Sequence, residues 1–106
     1  PWLSARLPYS PPVADLSAQG FELLGARLDR ANGQPVAVLV YKRRQHVVDA
    51  YVWPVRGRAG EMALKRDGYN IARFAAGDMN FWLVSDLNRN ELKDFEKLIV
   101  RQVAAL

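Results

Sequence analysis

The sequence predicts a small α+β domain. An antiparallel sheet of about five strands follows a short N-terminal helical turn, and a C-terminal amphipathic helix packs on one sheet face. Three observations carry this reading. Strand-like apolar runs recur between Phe21 and Ser85, divided by turn residues. Asn32-Gly33 and Gly77-Asp78 fall between such runs, and both pairs favour tight reversals. After Asn88 the apolar spacing changes to three and four residues, the period of a helix with one apolar face.

The first segment, PWLSARLPYSPPV, carries Pro1, Pro8, Pro11 and Pro12. Proline removes amide donors and restricts its predecessor, so residues 1–14 read as an extended, proline-rich linker. Trp2, Leu3 and Tyr9 are its candidates for packing onto the domain. The chain opens on proline rather than methionine, and it is expected to be part of a longer protein. Residues 15–106 are then expected to form a single domain.

Within DLSAQG, Asp15 can cap a single helical turn and Gly20 can end it. The first strand starts at Phe21, with Glu22, Leu24, Ala26 and Leu28 expected on one face. Leu23, Gly25, Arg27 and Asp29 are expected on the other. Beyond Asn32-Gly33, the run Val36–Tyr41 is apolar at nearly every position, as in a strand covered on both faces. Lys42, Arg43, Arg44 and Gln45 read as a turn. His46 to Trp53 form the next strand, ended by Pro54.

Val55 to Asp67 read as a polar connection loosened by Gly57 and Gly60. A second hairpin follows, with a strand from Gly68-Tyr69-Asn70 to about Ala75 and another from Met79 to Ser85. In the last segment Asn88 can cap a helix, and Glu91 completes a capping-box-like pair. Leu92, Phe95, Leu98, Ile99 and Val103 share one face of that helix, while Lys93, Asp94, Glu96, Lys97 and Arg101 lie mostly opposite.

The chemistry is bounded by what 106 residues contain. Without cysteine there are no disulfides, thiolate metal sites or thiol nucleophiles. His46 is the single histidine, and no carboxylate spacing around it resembles a zinc set. Asp67, Asp78 and Asp86 do not form a calcium loop. None of Ser4, Ser10, Ser17 and Ser85 lies in a G-x-S-x-G elbow, and no phosphate-binding glycine motif is present. An enzyme is therefore not expected, and neither is a cofactor or metal. No apolar run approaches the roughly 20 residues of a spanning helix. The formal net charge of +4 favours anionic surfaces weakly and also serves solubility. Lys42, Arg43 and Arg44 beside strand aromatics are ingredients of a single-strand platform, but no RNP-like motif accompanies them, so nucleic acid is not an expected partner.

The aromatic residues stand out. Tyr51, Trp53, Tyr69, Phe74, Phe81 and Trp82 all lie in or beside strands. One reading makes them core. The other starts from coverage: one helix covers one sheet face, so an open aromatic second face needs a ligand, a partner or a second copy of the chain. His46, Tyr51, Trp53, Phe74 and Trp82 are on that basis the candidate ligand- or partner-binding residues.

Several segments taken in order resemble a known family. DLSAQGFELLGARLDRANGQPVAVLVYKRRQHVVDAYVWP and then GYNIARFAAGDMNFWLVSDLNRNEL are similar to the C-terminal region of proteobacterial membrane-anchored anti-sigma factors. The signals are the GFELLGARLD strand, the NGQPVAVLVY hairpin, RRQHVVDAYVWP, the GYN start and the tryptophan strand running into SDLN. The resemblance covers nearly all of Asp15 to Leu98. It implies a periplasmic sensing or interaction domain of an inner-membrane protein. The chain would be tethered through an upstream transmembrane helix, with a cytoplasmic part that holds an extracytoplasmic-function sigma factor. The histidine–cysteine zinc motif often found in that cytoplasmic part does not occur in this sequence, so the sigma factor is an expected partner only of the missing part. For this domain the expected partner is a periplasmic protein or a small-molecule signal. The alternative is a stand-alone protein- or ligand-binding module, with an aromatic sheet face through which it could form a homodimer.

Overall fold

The computed structural model describes residues 15–31, 34–55 and 68–104. A 3₁₀ turn at Ser17–Gln19 precedes β1 (Glu22–Ala31), β2 (Gln34–Arg43), β3 (His46–Pro54), β4 (Asn70–Ala76), β5 (Met79–Ser85) and the helix α1 (Arg89–Ala104). The strands form one antiparallel sheet in the order β1-β2-β3-β5-β4. The fold is α+β, as the sequence predicts. The proline-rich segment 1–14, the Asn32-Gly33 turn and residues 56–67 of the β3–β4 connection lie outside the described residues.

The position of each strand follows from its side chains. β2 and β3 are apolar on both faces and sit inside the sheet, where Val36, Ala37, Val38, Val48, Ala50 and Val52 are fully buried. β5, read as MNFWLVS, is also apolar on both faces and slots between β3 and β4. β4, read as NIARFAA, has small residues and one charge, and it takes the outer position.

Two expectations about strand geometry change. Alternation along β1 breaks at a bulge between Leu23 and Gly25, so Leu23 pairs with Tyr41 and joins the face of Ala26 and Leu28. The basic cluster is also less of a turn than its composition suggests. Lys42 and Arg43 continue β2, paired with Val47 and His46, and only Arg44 and Gln45 turn. Arg44 takes a left-handed φ of 54° there, a conformation that disfavours any residue with a Cβ.

α1 lies across one face of the sheet and buries Leu92, Phe95 and Ile99. Phe95 is the centre of that contact. Its ring stacks on Phe21 at 4.3 Å and meets Tyr41 edge-on at 5.0 Å. Leu16 and Leu87 complete the cluster, so the 3₁₀ turn closes the helix side of the sheet. Gly20 ends that turn at φ 89°. Leu16 occupies the cap position, while Asp15 Oδ1 accepts bonds from Ser17 N and Oγ.

Asn88 caps α1 as expected, with its Oδ1 accepting from Glu91 N at 2.9 Å. The rest of the capping-box reading changes, because the Glu91 carboxylate is engaged by arginines from the β2–β3 end. The helix start is further anchored by Ser85, the one polar residue among the buried described side chains. Its Oγ donates to Val47 O at 2.7 Å and accepts from Leu87 N at 3.1 Å.

Candidate interaction surface

The second sheet face carries its own cluster: Val36, Val38, Tyr51, Trp53 and Val84, with Val40, Ile71 and Trp82 packed against it. No helix or strand among the described residues lies over this face, yet Tyr51 and Trp53 are each only 1% exposed. Both belong to the core. Trp53 Nε1 is buried with no hydrogen-bond partner among the described residues, a state that costs about 1–3 kcal/mol of desolvation.

The candidate residues therefore separate. Tyr51 and Trp82 are cross-strand partners, and the Trp53 and Trp82 rings meet edge-on at 5.6 Å. Those three form one cluster, of which Trp82 is the partly exposed member. Phe74 is on the opposite face. It stacks on Phe81 at 5.0 Å and packs against the helix-side core, because its register partner Phe81 points there. His46 lies at the other end of β3, roughly 23 Å from Trp53 at the usual strand rise. Its Nδ1 is 2.9 Å from Asp86 Oδ1, which ties the start of β3 to the segment leading into α1.

The surface also includes residues that the aromatic pattern did not reveal. Arg73 pairs with Trp82 across β4–β5, and its guanidinium sits 4.5 Å from the indole centre. That contact holds the cation against the tryptophan face rather than leaving it free in solvent. On the far side of the cluster, Arg27 Nη2 donates to Asp49 Oδ2 at 3.2 Å and reaches Tyr51 OH at 3.4 Å. Burial alone would lower the Arg27 pKa, but the hydrogen bond and charge of Asp49, aided by Tyr51, outweigh it and raise the value. Cross-strand register was the signal for Arg73, which faces Trp82 once the pairing is known. Arg27 pairs with Val38 and reaches across β2 to Asp49 and Tyr51 on β3, which only the assembled sheet reveals.

Beside this cluster, a groove of about 300 Å³ runs between β4 and α1. Asn70, Ile71, Ala72 and Arg73 line one wall, and Arg89, Leu92, Lys93 and Glu96 line the other. Asn70 fixes the groove's end by donating to Leu87 O at 2.8 Å and accepting from Arg89 Nε at 3.4 Å. Among the described residues, no group of histidine, cysteine and carboxylate side chains is placed to hold a metal ion, and no helix is long and apolar enough to cross a membrane. Comparisons with protein-family models, curated proteins and solved structures found no match.

Proposed function

We propose that this chain is the extracytoplasmic sensing or interaction domain of a transmembrane anti-sigma factor, regulating an extracytoplasmic-function sigma factor held by a cytoplasmic part of the same protein. The ordered set of segments from Asp15 to Leu98 carries this reading. The fold gives it physical content, since those segments make up the strands and helix start of one domain. A surface with a partly exposed tryptophan under an exposed arginine, beside a basic groove, is suited to contacting a partner. A partner that binds one state of the domain better than another would shift its equilibrium, and a membrane-linked segment would transmit that shift inward.

The test begins with the gene. Sequence upstream of Pro1 should encode a sigma-binding segment and then one apolar span of about 20 residues. Alkaline phosphatase fused after Leu106 should be active, as expected for a periplasmic location. Deleting this domain from the full-length protein should alter transcription from the sigma-dependent promoter. A full-length protein with no such span, or with an inactive fusion, would sink the proposal.

A further inference from the structure

The outer edge of β4 and the adjoining α1 groove have the arrangement that strand-adding recognition domains use: a strand edge, unpaired among the described residues, beside a helix. We infer that this edge accepts an extended acidic peptide from a partner protein, which adds as a further strand beside β4.

Three observations carry the inference. The first is the edge itself. Among the described residues β4 pairs only with β5, so alternate residues from Asn70 to Ala76 direct N–H and C=O groups outward. The opposite edge is a poorer template. β1 is interrupted by a bulge and carries Glu22, Arg27, Asp29 and Arg30, whereas β4 carries only Arg73.

The second observation is charge. The described groove lining has three cations, Arg73, Arg89 and Lys93, against the single carboxylate of Glu96. None of the three cations is ion-paired among the described residues. The third is their placement. Side chains of an added strand point alternately to the two sheet faces. On the helix side they would meet Arg89 and Lys93 of α1, and on the other side Arg73, which Trp82 holds in place. Acidic side chains on either face would therefore find a partner.

The same charges argue against a second copy of this chain. Arg73 is the central residue of β4, so antiparallel self-pairing about the strand centre would oppose Arg73 with Arg73 and bring two basic grooves together. The inference does not depend on the anti-sigma reading, because it concerns a surface present in this chain alone.

The test uses the 106-residue chain and a short acetylated peptide of valine and glutamate, with glutamate on both faces of the extended form. Three controls accompany it: glutamine in place of glutamate, the acidic peptide N-methylated at alternate amides, and a single-stranded oligonucleotide. The acidic peptide should bind about tenfold more tightly than the glutamine peptide. Amide shifts should be confined to β4 and the Arg89–Glu96 side of α1. N-methylation should abolish binding while leaving the charge intact, and Arg73→Glu and Lys93→Glu should each weaken it without unfolding the exposed surface. Equal binding of the N-methylated peptide would overturn the inference in favour of charge attraction alone. Tighter oligonucleotide binding at the same residues, self-association with shifts on β4, or no peptide binding would each overturn it too.

Discussion

Arg44 Nη2 lies 2.8 and 2.7 Å from the two carboxylate oxygens of Glu91, joining the β2–β3 turn to the first turn of α1. Arg43 adds a second cation, with its Nε 3.4 Å from Glu91 Oε2. A single carboxylate thus ties the hairpin end to the helix start. The Arg44 side of the pair comes from a residue held at a left-handed φ of 54°, which opposes the arrangement.

That opposition gives a first prediction. Arg44→Ala loses the ion pair and keeps the disfavoured φ, while Arg44→Gly loses the ion pair and relieves it. The glycine variant should be the more stable of the two by about 1 kcal/mol in urea unfolding. A double-mutant cycle with Glu91→Ala should show a favourable Arg44–Glu91 coupling that shrinks as salt rises from about 0.1 M to 1 M. Equal stability of the alanine and glycine variants would mean that the turn relaxes without cost.

The same ion pair sets an acid limit. The hydrogen bond from Arg44 holds the Glu91 carboxyl below its ordinary value of 4.5, with the charges of Arg44 and Arg43 adding to it. A depressed folded pKa contributes stability above the unfolded value and loses it as pH falls through the folded one. Asp15, lowered chiefly by the Ser17 hydroxyl, acts in the same direction. Arg27 is raised, so its contribution would fade only in strongly alkaline solution, above its ordinary range. Unfolding free energy should therefore drop as pH falls below the ordinary glutamate value of 4.5, and Glu91→Gln should flatten that slope. A parallel profile for the variant would remove Glu91 as the cause.

Ser85→Ala should cost about 1–3 kcal/mol. The hydroxyl is buried and serves Val47 O and Leu87 N together, so its loss leaves a buried donor and acceptor unmatched. Hydrogen exchange should report the change locally, with faster exchange at the Leu87 amide. A neutral substitution with unchanged exchange would contradict this account.

Phe95→Ala should cost about 3–5 kcal/mol, because Phe95 is fully buried between Phe21 and Tyr41. Phe95→Leu should recover much of that loss by keeping most of the volume. Near-UV circular dichroism should weaken in the alanine variant, since both neighbouring rings lose their contact.

The sequence alone determined the kinds of element and most of their limits. Alternation marked the strands, Asn88 marked the start of α1, and the Leu92–Phe95–Ile99 stripe marked its buried face. These signals act between residues close along the chain, through local hydrogen bonds and a repeating period, so they survive without knowledge of the fold. The aromatic pattern also identified Trp82 as a residue of interest. It gave no way to separate Trp82 from the buried Tyr51 and Trp53, or to see that Phe74 faces the helix.

Tertiary structure decided the rest. It placed β5 between β3 and β4, set Arg73 over Trp82, and joined Arg44 to Glu91. Each of these depends on register between distant segments, and register is fixed by which faces can be buried together rather than by any residue's own preference. Val36–Tyr41 of β2 read as covered on both faces, and β5 shares that character. Only the assembled sheet turned that character into a β4 edge unpaired among the described residues, with a basic groove beside it.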